Sequence, residues 1–234
     1  MRFNSNGINK AITFSFDDGV TQDIRLIELL NKYNLKCTFN VNSELLSKKG
    51  IIVCNDKKIS HYKVHCDDLK YIYEGHEIAV HTLTHPNLTQ CDDLEVIRQV
   101  ETDRINLSQL IGYEVVGMAY PCGGVNNDER VAKIIKENTG VKYCRTIAAN
   151  NCFDLQENIY RFNPTVHCVN FEDMLKLGQE FIELEPVTPK LFYVWGHSYE
   201  MDFKSDYWVK LEEFFKLISN KKDIFYGTNR EVLL

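Results

Sequence analysis

The sequence predicts an α/β fold with a parallel sheet, closed as a barrel or left open. Three observations carry this. Strand-like and helix-like segments alternate from end to end. The candidate chemical residues fall at the C-terminal ends of strand-like runs, where such folds place their sites. The length, 234 residues, is ordinary for an α/β barrel, so one domain over residues 1–234 is expected, large enough to bury a core without disulfides or structural metals.

The elements follow in order. Ala11 to Phe16 reads as a strand, and Leu26, Leu29, Leu30 and Tyr33 recur at helical spacing after it. Cys37 to Val41 is a β-branched and aromatic run. Residues from about Ser47 to Cys66 break the rhythm and read as an insertion. A short helix from Asp67 to Glu74 precedes a strand at Glu77 to Val80. Asp92 or Asp93 can cap one long helix carrying Leu94, Ile97, Val100, Leu107 and Leu110. Val115 to Ala119 is a strand, and Asn127 or Asp128 caps a helix with Val131, Ile134 and Ile135. Lys142 to Thr146 and Tyr160 to Asn163 are short strand candidates. Phe171 to Leu184 is helical, Leu191 to Trp195 a strand, Tyr207 to Ile218 a helix and Asp223 to Tyr226 a last strand.

Hydrophobic residues make up 44% and charged residues 26%, a globular balance. A net charge of -6 argues against general nucleic-acid binding. No basic region followed by an apolar one opens the chain, and no apolar run is long enough to span a bilayer. A cytoplasmic protein with no membrane partner is therefore expected. The eight cysteines form no CxxC pair and are expected to be reduced thiols.

Ser15-Phe16-Asp17-Asp18-Gly19 puts two adjacent carboxylates at the end of the first strand, and His81-Thr82-Leu83-Thr84-His85 puts two imidazoles just past another. Paired acids also serve as solvated turn residues, and spaced histidines are often structural. Together, each at a strand end, they read as chemistry. One carboxylate and two imidazoles make a three-ligand divalent metal site with a position left for water. The other carboxylate is then available as a base beside that water. Pro121-Cys122-Gly123-Gly124 is either a plain turn or a turn that presents a backbone N–H to an oxyanion. His197, in Val194-Trp195-Gly196-His197-Ser198, is a candidate acid for the leaving group. Arg145 is either a surface charge or the partner that orients a site carboxylate. Cys54, His61, His65 and Cys66 are residues zinc can use, but at a spacing matching no trusted pattern. His76 and His167 read as structural, though His167 follows a strand.

Taken together these residues resemble the NodB-type polysaccharide deacetylases, the fourth carbohydrate esterase family, from about Lys10 to Tyr226. That family carries T-F-D-D-G, here Ser15 to Gly19; H-[S/T]-x-x-H, here His81 to His85; and L-x-x-H, here Val194 to His197. The resemblance implies a distorted, partly open (β/α) barrel of about seven parallel strands. It implies Asp17 as base, Asp18, His81 and His85 as metal ligands, and His197 as acid. The family's third motif, R-x-x-[Y/F]-G or R-x-P-[Y/F]-G, reads Ala119-Tyr120-Pro121-Cys122-Gly123 here, without its arginine, and the fourth, D-x-x-D-W, is not recognisable. The Cys122 N–H can still serve an oxyanion. Arg145 is expected to replace the lost arginine from the neighbouring strand and to reach Asp17 directly. Tyr120, Pro121 and Trp195 are the expected substrate contacts.

The expected activity is metal-dependent hydrolysis of an N-acetyl group on an amino sugar. Zinc suits an Asp-His-His set best, with cobalt, manganese, iron and nickel as alternatives. The rivals are a hydrolase of a small non-sugar amide and a carbohydrate-binding protein that has lost catalysis.

Overall fold

The computed structural model describes residues 7–234. In chain order the regular elements are β1 (Lys10–Asp17), α1 (Asp23–Lys32), β2 (Cys37–Val41), β3 (Ile51–Cys54), β4 (Lys57–Ser60), α2 (Leu69–Ile72), β5 (Glu77–Val80), α3 (Asp93–Ile97), α4 (Asp103–Ile111), β6 (Gly117–Ala119), α5 (Glu129–Asn138), β7 (Tyr143–Arg145), β8 (Val166–His167), α6 (Phe171–Glu183), β9 (Lys190–Gly196), α7 (Tyr207–Ile218), β10 (Phe225–Tyr226) and α8 (Asn229–Leu233). Seven parallel strands run in the order β7-β6-β5-β2-β1-β9-β8, and β10 pairs with the start of β1.

β1 is the hub. All its residues are buried, as expected of a parallel strand covered on both faces. It pairs with β9 from Lys10↔Lys190 to Phe16↔Gly196, which brings His197 level with Asp17. Helices α6 and α7 cover this part of the sheet, where Phe14 packs edge-on against Phe215 at 5.1 Å between ring centroids.

The two ends of the sheet are joined by one stretch of chain. Phe162 donates its N–H to Cys144 O (2.9 Å) and accepts from Thr146 N–H (2.9 Å), beside the end of β7. Four residues later the same stretch becomes β8 and pairs with β9. A single bridge makes this seam, so the barrel is distorted and partly open.

Several elements differ from expectation. The candidate strand Tyr160 to Asn163 is mostly a 3-10 turn over Ile159–Arg161, with Phe162 alone pairing; Pro164 has no N–H to extend a ladder, and the strand falls on β8. The insertion is an antiparallel hairpin, β3–β4, turning through Asn55 and Asp56 at φ 47° and 64°, the left-handed pair that a two-residue turn requires. The long helix is interrupted by a π-turn at Arg98–Thr102. That turn directs Asp103 inward, where its carboxylate accepts from Ser43 N–H (2.7 Å) and His81 N–H (3.3 Å). Helix α8 was not expected. Thr228 and Glu231 cap it reciprocally, and its buried Asn229 hydrogen-bonds to Thr13 and Ser15 of β1. All eight cysteines are free thiols. Among the described residues no helix is long and apolar enough to cross a membrane.

Candidate active site

Sheet register assembles the site. β1 ends on Asp17, and the chain then turns through Asp18 (φ 83°) and Gly19 (φ 59°). A Cβ at Gly19 would stand 3.0 Å from Val41 Cγ1, so the close approach and the left-handed backbone both favour glycine there. The turn separates the neighbouring carboxylates. Asp17 faces Asn40 and Arg145; Asp18 faces His61, Lys63 and His85.

His81 follows β5 and donates its N–H to Val41 O (3.0 Å). Its Nδ1 lies 2.9 Å from Ala119 O, which only a protonated Nδ1 can satisfy, leaving the Nε2 lone pair available. Thr82 and His85 both take left-handed φ (68° and 64°), and this tight loop stacks the two imidazoles edge to face at 4.9 Å. One donor atom from each of Asp18, His81 and His85 lies within 4.8 Å of the others. Burial pulls His81 down to about 4 and also lowers His85, so both are neutral at neutral pH, as ligands must be. Burial alone would raise Asp18, but His61 and Lys63 hold it well below the usual carboxylate range. Two neutral imidazoles with open Nε2 atoms and an ionised carboxylate fit a divalent cation that keeps one position for water.

Asp17 is fully buried (1% exposed) yet ionised: burial opposes this, and Arg145, with the charged His197, outweighs it. The wholly buried Arg145 places Nη2 2.5 Å from both Asp17 oxygens, and Asn40 Nδ2 donates to Oδ1 at 2.8 Å. Arg145 pairs in register with Ala119, so its guanidinium comes from the strand beside the one whose arginine is missing. The face of Trp195 supports it, 4.7 Å from the guanidinium carbon.

His197 ends β9, and a 3-10 turn over Ser198–Asp202 folds Glu200 back onto it. Glu200 Oε2 accepts the His197 N–H (2.9 Å) and lies 3.2 Å from Nδ1 and 2.9 Å from His167 Nε2. Burial disfavours the imidazolium, but the Glu200 carboxylate more than compensates and raises His197 to about 9. Cys122 sits at φ 70° on the cleft wall, its thiol 3.4 Å from His85 O, and its N–H has no partner among the described residues. Asn126 holds this turn by donating to the carbonyls of Tyr120, Pro121 and Cys122.

The cleft these residues line holds about 260 Å³. Tyr120 and Trp195 line it, but the Tyr120 hydroxyl donates away, to Tyr160 O (2.8 Å), and Pro121 is buried behind the turn. Trp195 lies stacked on His167, 4.4 Å between ring centroids, with only 8% exposed. Tyr199, not expected from sequence, lines the cleft beside His197. The four insertion residues do not converge. His61 turns to Asp18, His65 and Cys66 sit on the surface with Asp67, and Cys54 joins neither. The reason is the hairpin register, which points Cys54 and His61 to different neighbours. Glu200, Asn40, Asn126 and Lys63 escaped sequence reasoning. Only Glu200 left a signal there, an acid three residues past a strand-end histidine, the spacing of a capping box.

A sequence model described as polysaccharide deacetylase matches residues 4–143, and the chain belongs to that family. Among curated relatives, the peptidoglycan-N-acetylglucosamine deacetylase PgdA of Listeria monocytogenes is 27% identical over 121 residues, 50% of this chain and 22% of that protein. The peptidoglycan-N-acetylglucosamine deacetylase of Bacillus cereus is 30% identical over 124 residues, 52% of this chain and 40% of that protein. The aligned part is thus well under half of either relative. A solved structure described as T48 deacetylase with substrate shares the fold over 97% of this chain and 92% of that one, at a TM-score of 0.60 and 15% identity.

Proposed function

We propose that the chain removes the acetyl group from an N-acetylated amino sugar. The observation that carries the reading is a division of labour at the C-terminal ends of interior strands: Asp18, His81 and His85 offer three converging donors, while the adjacent Asp17 is held ionised by Arg145 and is not needed as a ligand. The sugar class comes from the relatives, whose names specify N-acetylglucosamine in peptidoglycan. A divalent cation, zinc being best suited, would be held by the three donors and supply Lewis acidity toward a water and an acyl oxygen. Asp17 takes the proton of the water that attacks the acetamide carbon. The Cys122 N–H stabilises the resulting oxyanion. His197, protonated at neutral pH, gives its proton to the nitrogen as the C–N bond breaks, because an amide anion is too poor a leaving group. The products are acetate and a free amine.

Arg145→Ala should keep metal binding and lower the rate roughly ten- to a thousand-fold, the scale of a lost orienting contact. It leaves a buried carboxylate uncompensated, so stability should fall by about 3–5 kcal/mol. Arg145→Lys, which keeps the charge, should regain stability better than rate. A rate equal to that of the unaltered protein would remove Arg145 from the proposal.

Glu200→Gln tests the acid. With His197 raised to about 9, turnover should fade on the alkaline side as that proton is lost. The same interaction contributes stability that is complete below about 6.5 and fades as pH climbs through about 9. Removing the Glu200 charge leaves burial dominant, so the alkaline limb of the pH–rate profile should move down by roughly one to three pH units. An unmoved limb would dissociate Glu200 from the acid.

The small cleft favours one second reading, hydrolysis of a small non-sugar amide, since about 260 Å³ lies below the range of roughly 300–1,000 Å³ usual for ligand pockets. Acetate release from N-acetylglucosamine oligomers separates the two. Bound metal with no acetate from any oligomer, but turnover of a small amide, would select the second.

A further inference from the structure

Lys63 is a buried ammonium (9% exposed) that the proposed reaction does not use. Its position is set by backbone. The strand-like stretch after β4 lies antiparallel to the turn that follows Asp18: Thr21 donates to Tyr62 O (2.8 Å), Val64 donates to Gly19 O (3.0 Å), and Val20 bridges Lys63. This register aims Lys63 at Asp18. Nζ donates to Asp18 O at 2.6 Å and to Asp18 Oδ1 at 3.1 Å. Oδ1 is also the oxygen that His85 Nε2 approaches, at 3.8 Å. The other oxygen, Oδ2, meets His61 Nε2 at 3.2 Å. Among the described residues Lys63 has no other carboxylate partner.

We infer that Lys63 is an internal cation that shares Asp18 with the metal and sets the affinity of the site. The inference rests on the proposed role of Asp18, His81 and His85 as ligands. A monovalent charge on the same carboxylate oxygen keeps the donor ionised and in place when no metal is present. It also repels an incoming dication in a poorly solvated pocket, where charges interact far more strongly than in water. The ammonium is held by its burial and its two contacts to Asp18, on a backbone stretch paired with the Asp18 turn. The site is therefore pre-formed and its metal exchangeable.

The test is the dissociation constant for Zn²⁺ or Co²⁺ of chelator-stripped protein, read by competition with a chromophoric chelator. Lys63→Gln keeps a donor for Asp18 O and removes the charge; Lys63→Met removes both. Each should bind metal about tenfold tighter or more, the sense expected when a like charge leaves a buried site. The metal-free protein should melt lower in both variants, and added metal should raise its melting temperature further than it raises that of the unaltered chain. If Lys63→Met does not fold, Lys63→Gln carries the comparison alone. Unchanged or weaker binding overturns the inference. His81→Ala separates the two ideas. If that variant loses the metal while the Lys63 variants bind as the unaltered chain does, only the Lys63 inference fails. If no variant and no unaltered chain binds metal, the ligand reading fails and takes this one with it.

Discussion

His81→Ala and His85→Ala are each expected to lose stoichiometric divalent metal and turnover together. A site with three protein donors has none to spare, and two leave a weak, open site. The nearest alternative does not substitute. Asp17 Oδ2 is 4.0 Å from His81 Nε2 but is committed to Arg145. The two variants differ in what else they disturb. His81 is 1% exposed and its Nδ1–H satisfies Ala119 O, so His81→Ala also strands a buried carbonyl, at about 1–3 kcal/mol. The His85 side chain is 31% exposed, and its removal should cost less. Equal loss of metal with unequal loss of stability is the expected signature, read by elemental analysis beside melting curves. Stoichiometric metal in either variant would refute the ligand set.

Asp17→Asn is expected to bind metal as the unaltered chain does and to lose turnover by about 10²- to 10⁴-fold, the contribution of a general base. An amide accepts hydrogen bonds but does not take the water's proton at neutral pH. The substitution also leaves Arg145, wholly buried, without its counter-charge, so a stability loss of about 3–5 kcal/mol accompanies it. Replacing both residues, Asp17→Asn with Arg145→Met, should recover much of that stability and none of the turnover. Asp18→Asn, one residue away, should instead weaken the metal. Metal loss of equal size in the two asparagine variants would contradict the division of roles between the carboxylates.

What could be read from the sequence was local. β1 is legible because a strand-like run, Ala11 to Phe16, with Ile12, Phe14 and Phe16 spaced by Thr13 and Ser15, ends on two acids, and the strand ends locate Asp17, Asp18, His81, His85 and His197 without any long-range knowledge. Arg145 was legible only through the family resemblance, which implies an arginine at the position of Ala119; a strand-like segment downstream carries Arg145, and the register Ala119↔Arg145 brings it alongside. What stayed hidden depends on register between distant segments. Lys63 reaches Asp18 only because the hairpin returns its second strand to the Asp18 turn, and sequence marks it as one more lysine in an insertion. Phe162 joins the sheet ends through a single bridge, too short to leave a periodic pattern. The π-turn at Arg98–Thr102 belongs to a helix whose buried face runs through Val96, Val100, Leu107 and Ile111, with the expected Leu94 and Leu110 exposed, and it turns Asp103 toward His81. The expected substrate contacts at Tyr120 and Pro121 followed the motif; Tyr120 lines the cleft with its hydroxyl turned to Tyr160 O, and Pro121 is buried.

Under the proposed function, three ligands, a base and an acid at the C-terminal ends of the strands deacetylate an amino sugar with a bound dication. Acetate release from N-acetylglucosamine oligomers, followed while Zn²⁺ is titrated into chelator-stripped protein, tests it most directly. The stripped protein should release no acetate, and the rate should rise with metal until about one ion per chain is bound. Full acetate release from the stripped protein, or no release when the Asp18, His81 and His85 site is filled, would contradict it.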